Sequence, residues 1–275
     1  MDFVFYDIET SGLSKAFDQI LQFAAIRTDA EFNELDRFEI RCKLIPHIVP
    51  SPGAMRATKV TVKQLYEPEV SHYEMIRTIQ QKFAAWSPAI FIGYNSIDFD
   101  ENFLRQAFYQ TLHPLYLTNT NGNCRMDALN IMQAAKIYAP HSIIFPSDGS
   151  LKLDQVAPAN GFDHTNAHDA LADVEATIYI CKLLSQKAPK VWNSAVTLNH
   201  KASVVTFALS TAVFVHSDFY FGKPHSWALT ALGVNPNDGA EVYAFDLQVD
   251  PTKFMKIQTK QSLSHSRPAG RKREP

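Results

Sequence analysis

The run Ala89 to Tyr94, AIFIGY, constrains the fold more than any other stretch of the chain. It is apolar without alternation, so a strand made from it must be covered on both faces, as in a sheet flanked by helices. Helical spacing stands on either side, over Tyr73 to Trp86 and Asn102 to Leu112. It returns over Asp127 to Tyr138 and over Asp169 to Ser185, where Leu171, Val174, Ile178 and Cys181 recur at steps of three and four. Ahead of these, Phe3 to Asp7, Ile20 to Thr28 and Phe38 to Leu44 read as short strands parted by polar turns, a meander. The pattern is α/β, a mixed sheet flanked by helices.

Beyond Leu184 the character changes. Residues 1–185 read as one domain, 186–197 as a polar linker around SQKAPK, and 198–255 as a small β-rich domain. Its strands are expected over Val204 to Phe221, Trp227 to Val234 and Glu241 to Leu247, with NPNDG (Asn235 to Gly239) as a turn. Residues 256–275 lack apolar periodicity and read as a mobile basic tail. The net charge of −2 conceals an asymmetry, since residues 253–275 hold seven Lys/Arg against one acid, which leaves the remainder at −8. An acidic body argues against binding nucleic acid through a basic surface alone, but it suits carboxylates that hold metal ions. Cys42, Cys124 and Cys181 are odd in number and far apart, with neither a disulfide framework nor zinc spacing, so a reducing, cytoplasmic setting is expected. MDFVFYDIET has no basic n-region or apolar core of a signal peptide, and no stretch is long and apolar enough for a membrane span.

Asp7 and Glu9 fall at the end of the first strand, on one face because side chains alternate with a period of two. Asp100 follows the AIFIGY strand, and Asp173 lies beside the apolar stripe of the last helix. Each has an ordinary reading: solvent-facing acids, a helix cap at Asp100, an exposed helical acid at Asp173. If the four converge, two ionised carboxylates about 4 Å apart repel by roughly 4 kcal/mol at an effective dielectric near 20. Several such pairs exceed what a marginally stable fold tolerates. Divalent cations turn that repulsion into attraction, and hard oxygen ligands suit Mg²⁺ or Mn²⁺, two of which form the arrangement used for in-line phosphodiester cleavage. His168, five residues before Asp173, offers a proton acceptor that is neutral at physiological pH. The alternative is a histidine that merely solvates a helix end. His164 has no such partner in the sequence and is read in that second way.

The segments FYDIETSGL (Phe5 to Leu13), FDQILQFAAIRTD (Phe17 to Asp29), GYNSIDFDENFLR (Gly93 to Arg105) and NAHDALADVEAT (Asn166 to Thr177) together resemble the DEDDh 3′-to-5′ exonucleases, and QFAAIRTD and RMDALNIMQA resemble the bacterial exonuclease I family within them. The resemblance implies a ribonuclease-H-like exonuclease domain that shortens single-stranded DNA from its 3′ end in DNA repair, releasing 5′-mononucleotides with two Mg²⁺, for which Mn²⁺ can substitute. It puts Asp7, Glu9, Asp100 and Asp173 on the metal-binding acids and His168 on the general base. Thr10 falls where the backbone approaches the terminal nucleotide, and Leu13 beside the terminal base, with core packing as its alternative. VFVHSDFYFGKPHSWALTAL and EVYAFDL match part of the family's small β-barrel-like domain, whereas its third, helical part has no counterpart. The chain is therefore read as C-terminally shortened, either truncated or a shorter relative with an unrelated tail, and a monomer is expected. Processivity, and docking of single-stranded-DNA-binding protein, depend partly on the missing regions and are in question.

Single strands are held by aromatic stacking in a cationic groove. Candidates are Phe17, Tyr94, Phe99 and the cluster Phe219, Tyr220 and Phe221. Three rival readings stay open: an exoribonuclease or oligoribonuclease, because the same acids serve RNA; a non-catalytic nucleic-acid-binding remnant; and, more weakly, a D-x-E phosphatase.

Overall fold

The computed structural model describes residues 1–165, 167–220 and 222–254. The basic tail at 256–275 and Phe221 lie outside the described residues. Five strands form the main sheet: β1 (Asp2–Thr10), β2 (Ile20–Thr28), β3 (Glu34–Arg41), β4 (Ala89–Gly93) and β5 (Cys124–Asp127), in the order β3-β2-β1-β4-β5. β1, β2 and β3 pair antiparallel as the expected meander, and β4 joins β1 in parallel, followed by β5. The third strand begins and ends a few residues earlier than its apolar residues suggested.

Alternation along β1 divides the core. Val4, Tyr6 and Ile8 face one side, against Met75, Ile76, Ile79 and Phe83 of α2 (His72–Trp86) and Phe103, Leu104 and Phe108 of α3 (Asp100–Gln110). Phe3 and Phe5 face the other, against α4 (Ala128–Tyr138) and α6 (Ala170–Lys187) through Ile131, Met132, Val174 and Ile180. α1 (Pro52–Thr58) precedes α2, and α5 (Leu153–Ala159) lies between α4 and α6 in the chain. Asp7 and Glu9 continue the register of Phe3 and Phe5, so β1 aims both carboxylates at the side where α6 begins.

The expected linker is corrected. Residues 189–197 form a helix, α7 (Pro189–Thr197), because Pro189 takes the first helical position and Trp192 finds an apolar surface, sitting edge-on to Phe3 with ring centroids 5.7 Å apart. The expected strand from Val204 is corrected as well: Lys201–Ser210 is helical (α8), and only Phe214–Tyr220 is extended. A short apolar run without alternation fits helix and strand equally, and the β-branched pair Val204 and Val205 weighted the reading wrongly. The chain divides after Val204 into two compact units. The second unit contains an antiparallel sheet, β6 (Phe214–Tyr220), β7 (Lys223–Asn235) and β8 (Asp238–Asp246), with the expected turn between β7 and β8. Among the described residues no helix is long and apolar enough to cross a membrane.

Candidate functional site

β1 runs straight into a loop built to expose two apolar side chains. Thr10 is buried and its Oγ1 donates to the Gly12 carbonyl at 2.7 Å. Asp18 pins the loop from the far side, accepting from Ser11 Oγ and from the Ser14 amide, both at 2.8 Å. Gly12 lies so close that a Cβ there would stand 2.5 Å from Asp18 Oδ2. The loop thereby holds Leu13 and Phe17 out in solvent, 81% and 82% exposed, which rules out core packing for Leu13.

Asp100 is the first residue of α3 and is buried, its Oδ1 accepting the Ile8 amide at 3.2 Å, so it is fastened to β1 rather than capping its own helix. The loop ahead of it is held by Asp127, whose carboxylate accepts the amides of Asn95 and Ile97 at 2.9 and 3.0 Å and of Leu129 at 2.9 Å. Next to Asp100, buried Glu101 accepts from the Tyr6 hydroxyl at 2.9 Å, Thr118 Oγ1 at 3.0 Å and Arg125 at 2.8 Å. Sequence reasoning missed both carboxylates. An N-cap acid before an apolar run is a signal that could have found Asp127; Glu101 carries none.

Asp169 caps α6 through the Ala172 amide at 3.3 Å and also accepts from Arg41 at 2.6 Å and Gln22 at 3.0 Å. That leaves Asp173 in the first turn of α6, opposite β1. His168, exposed, precedes the cap in a left-handed conformation with φ 68°. One ligand atom from each of Glu9, His168 and Asp173 lies within 4.8 Å of the others. His164 needs correction: its buried imidazole brings Nε2 to 2.9 Å from Asp173 Oδ1, although the contact is bent away from hydrogen-bonding geometry.

The charges of this cluster oppose one another. Burial raises Asp7 well above the usual carboxylate range, and Asp100, Asp173, Glu9 and Asp169 push it further. Glu9 rises to about 8 through burial, then Asp173, Asp100 and Asp169, against a modest pull from Arg41. Burial lifts Asp100 to about 8 and Asp173 to about 7, the latter opposed by a backbone hydrogen bond from His168. Buried oxygens that hold their protons this tightly need a counter-charge to ionise near neutrality. Carboxylate oxygens with one imidazole at the rim fit a hard divalent cation, which Glu9 and Asp173, with Asp7 and Asp100 pressing on them electrostatically, could hold.

Two clefts meet at His168. One, of about 780 Å³, is lined by Glu9, Gln22, Arg41, Lys59, His168 and Asp169. The other, of about 570 Å³, is lined by Tyr94, Leu151, Asp154, His164, His168 and Asp173. Each has the size of a small-ligand site. Among the stacking candidates Phe17 is free in solvent, whereas Phe99 is half-buried against Phe103, centroids 5.0 Å apart. The Tyr94 hydroxyl is committed to the Leu151 carbonyl. In the second unit Phe219 is half-buried, and exposed Tyr220 touches the rings of His225 and Trp227.

Residues 4–181 match a family model described as exonuclease. The chain is 32% identical over 266 residues to exodeoxyribonuclease I of Escherichia coli K12, an alignment covering 93% of this chain and 56% of that one. The chain thus spans little more than half the length of that relative. Its fold superposes on E. coli exonuclease I in complex with a dA16 oligonucleotide with a TM-score of 0.81 at 29% identity, covering 98% of this chain and 59% of the other. The zinc-bound form of the E. coli exonuclease–single-stranded-DNA complex gives the same TM-score, identity and coverage.

Proposed function

Because the chain belongs to the exonuclease family, we propose that it is a divalent-metal-dependent 3′-to-5′ exodeoxyribonuclease that degrades single-stranded DNA to 5′-mononucleotides. The observation that carries this reading is the meeting of Glu9, His168 and Asp173, from β1, the loop before α6 and α6 itself, within 4.8 Å. Including Asp7 and Asp100 is supported by the pressure that Asp100, Asp173 and Glu9 put on Asp7 and by the tether of Asp100 to the Ile8 amide on the same strand.

In this reading Asp7, Glu9, Asp100 and Asp173 would hold a pair of Mg²⁺ ions, which would supply the positive charge that offsets the phosphodiester's and favours in-line attack on it. The protein's own groups do the remainder. His168, standing at the rim between two clefts, accepts the proton of the attacking water and passes it to solvent. Water joins phosphorus, the bond to the 3′ oxygen of the shortened strand breaks, that oxygen takes a proton from solvent to become a hydroxyl, and the terminal nucleotide leaves with its phosphate. Leu13 and Phe17 are offered as a face for the last base, which stacking favours by about 1 to 3 kcal/mol. The backbone beside Thr10 is offered to its sugar. The three cysteines, all free and buried, suit a reducing cytoplasmic setting.

The test is incubation with 3′- or 5′-labelled single-stranded DNA, RNA and duplex, with and without Mg²⁺. Stepwise shortening of 5′-labelled single-stranded DNA, dependent on metal and releasing 5′-mononucleotides, is expected. Equal or greater activity on RNA would replace the reading with an exoribonuclease, and no cleavage of any strand would sink it.

A further inference from the structure

Two residues other than glycine hold a left-handed backbone in the wall of the 780 Å³ cleft beside Glu9: His168 at φ 68° and Lys59 at φ 57°. A Cβ makes that conformation unfavourable, and only glycine escapes the clash. Lys59 closes α1 as its C-cap, the kind of helix end at which glycine commonly supplies a left-handed turn. The helix end gives no reason for a lysine. Strain kept where glycine would relieve it points to a use for the side chain.

The use follows from charge. Glu9, Glu67 and Asp169 stand in the cleft wall, and its other cation, Arg41, is already engaged by Asp169 at 2.6 Å and Glu39 at 3.4 Å. Lys59 is exposed and forms no salt bridge among the described residues. It is the cation of this cleft whose charge is left for a ligand. An ammonium on a flexible stem suits a phosphate as a point charge. On the nuclease reading above, we propose that Lys59 is a substrate-binding residue whose ammonium contacts a backbone phosphate of the strand lying in this cleft. It governs the grip on the strand and leaves the chemical step to His168 and the acids.

The experiment compares the wild type with Lys59→Gln, Lys59→Arg and Lys59→Gly. Binding of a fluorescein-labelled single-stranded oligonucleotide is read by anisotropy in EDTA over roughly 50 to 200 mM salt. Loss of one phosphate contact takes about 0.7 off the slope of log K against log salt for a single strand, so Lys59→Gln and Lys59→Gly should lose that much while Lys59→Arg keeps it. With Mg²⁺ the same two variants should raise KM several-fold and hold kcat within about twofold. Lys59→Gly should melt no lower than the wild type, since relief of the left-handed turn offsets the added freedom of its unfolded chain. A wild-type salt slope and KM in Lys59→Gln would overturn the proposal, as would a fall in melting temperature that tracks the lost binding in Lys59→Gly. A wild type that binds the strand without cutting it sinks the nuclease reading alone, and the slopes still decide the phosphate contact. One that binds no strand overturns both.

Discussion

His164 Nε2 stands 2.9 Å from Asp173 Oδ1, with the imidazole 1% exposed beneath the cluster. Burial lowers its pKa, so it remains a neutral ring against a carboxylate that must itself ionise. The imidazole packs against Asp173 and limits where its carboxylate can turn, and loss of such an outer partner around a metal ligand costs about 10- to 100-fold in metal affinity or activity. His164→Ala should therefore shift the Mn²⁺ dependence of cleavage to higher concentration by that order. Superimposable metal titrations would reduce His164 to a core residue.

His168 also stands beside Asp173, within 4.8 Å of it, exposed and shared by both clefts. If it takes the proton of the attacking water, His168→Ala should lower kcat by roughly 10² to 10⁴. Mn²⁺ uptake measured by calorimetry should change little, because the carboxylates remain. Near-normal turnover would remove the base assignment.

Stability of the metal-free protein should fall with rising pH. Glu9 and Asp100 titrate at about 8 and Asp173 at about 7 in the fold, all above their ordinary values, so the folded state binds more protons than the unfolded chain. The stabilisation from protonation is complete below the unfolded values near 4 and is lost as pH rises through about 7 to 8. Melting temperature in EDTA should decline between about pH 5 and pH 8.5. A divalent cation binds the ionised form, so Mn²⁺ should raise the melting temperature more at pH 8 than at pH 5.5, about the two ends of that range. An EDTA profile that is flat or rises towards pH 8.5 would contradict the reading of this cluster.

Asp7 is raised by burial and then by four acidic neighbours, Asp100, Asp173, Glu9 and Asp169. Asp7→Asn keeps its shape and removes its charge. Without metal at pH 8 the variant should melt at or above the wild-type temperature, while cleavage is abolished and the Mn²⁺-induced shift shrinks. A variant that melts lower in EDTA, or takes up Mn²⁺ as the wild type does, would show that Asp7 is not held in the fold against its own charge.

What could be read from the sequence divides along physical lines. The strands around Phe5 and Phe91 were legible because alternation and unbroken apolar runs are local signals, and Asp7 and Glu9 share a face by the pleat alone. Convergence with Asp100 and Asp173 was legible only as a chemical condition, since nothing local says that α6 starts opposite β1. The pairing of His164 with Asp173 and the burial of Glu101 by Tyr6, Thr118 and Arg125 were not legible. They depend on which side chains tertiary packing brings within 3 Å. Helix α8 was misread because a short apolar run without alternation carries no period that separates helix from strand.

The loop that presents Leu13 and Phe17 rests on Gly12 for space rather than for backbone freedom. An added Cβ would stand 2.5 Å from Asp18 Oδ2 and 2.7 Å from its Cγ, inside contact distance. Asp18 cannot retreat without giving up the Ser11 hydroxyl and the Ser14 amide, each held at 2.8 Å. Overpacking of this kind costs about 1 to 3 kcal/mol. The released loop also carries the two exposed apolar side chains, and Lys15 ties it to the Asp98 carbonyl near the start of α3 at 3.0 Å. Gly12→Ala should therefore lower the melting temperature and raise KM for single-stranded DNA while leaving the metal dependence of kcat unmoved, because Asp7 and Glu9 are held by the β1–β2 ladder. Steady-state kinetics at saturating and limiting Mg²⁺ separate the two effects. A variant with wild-type KM would mean that the Gly12 loop takes no part in holding the strand.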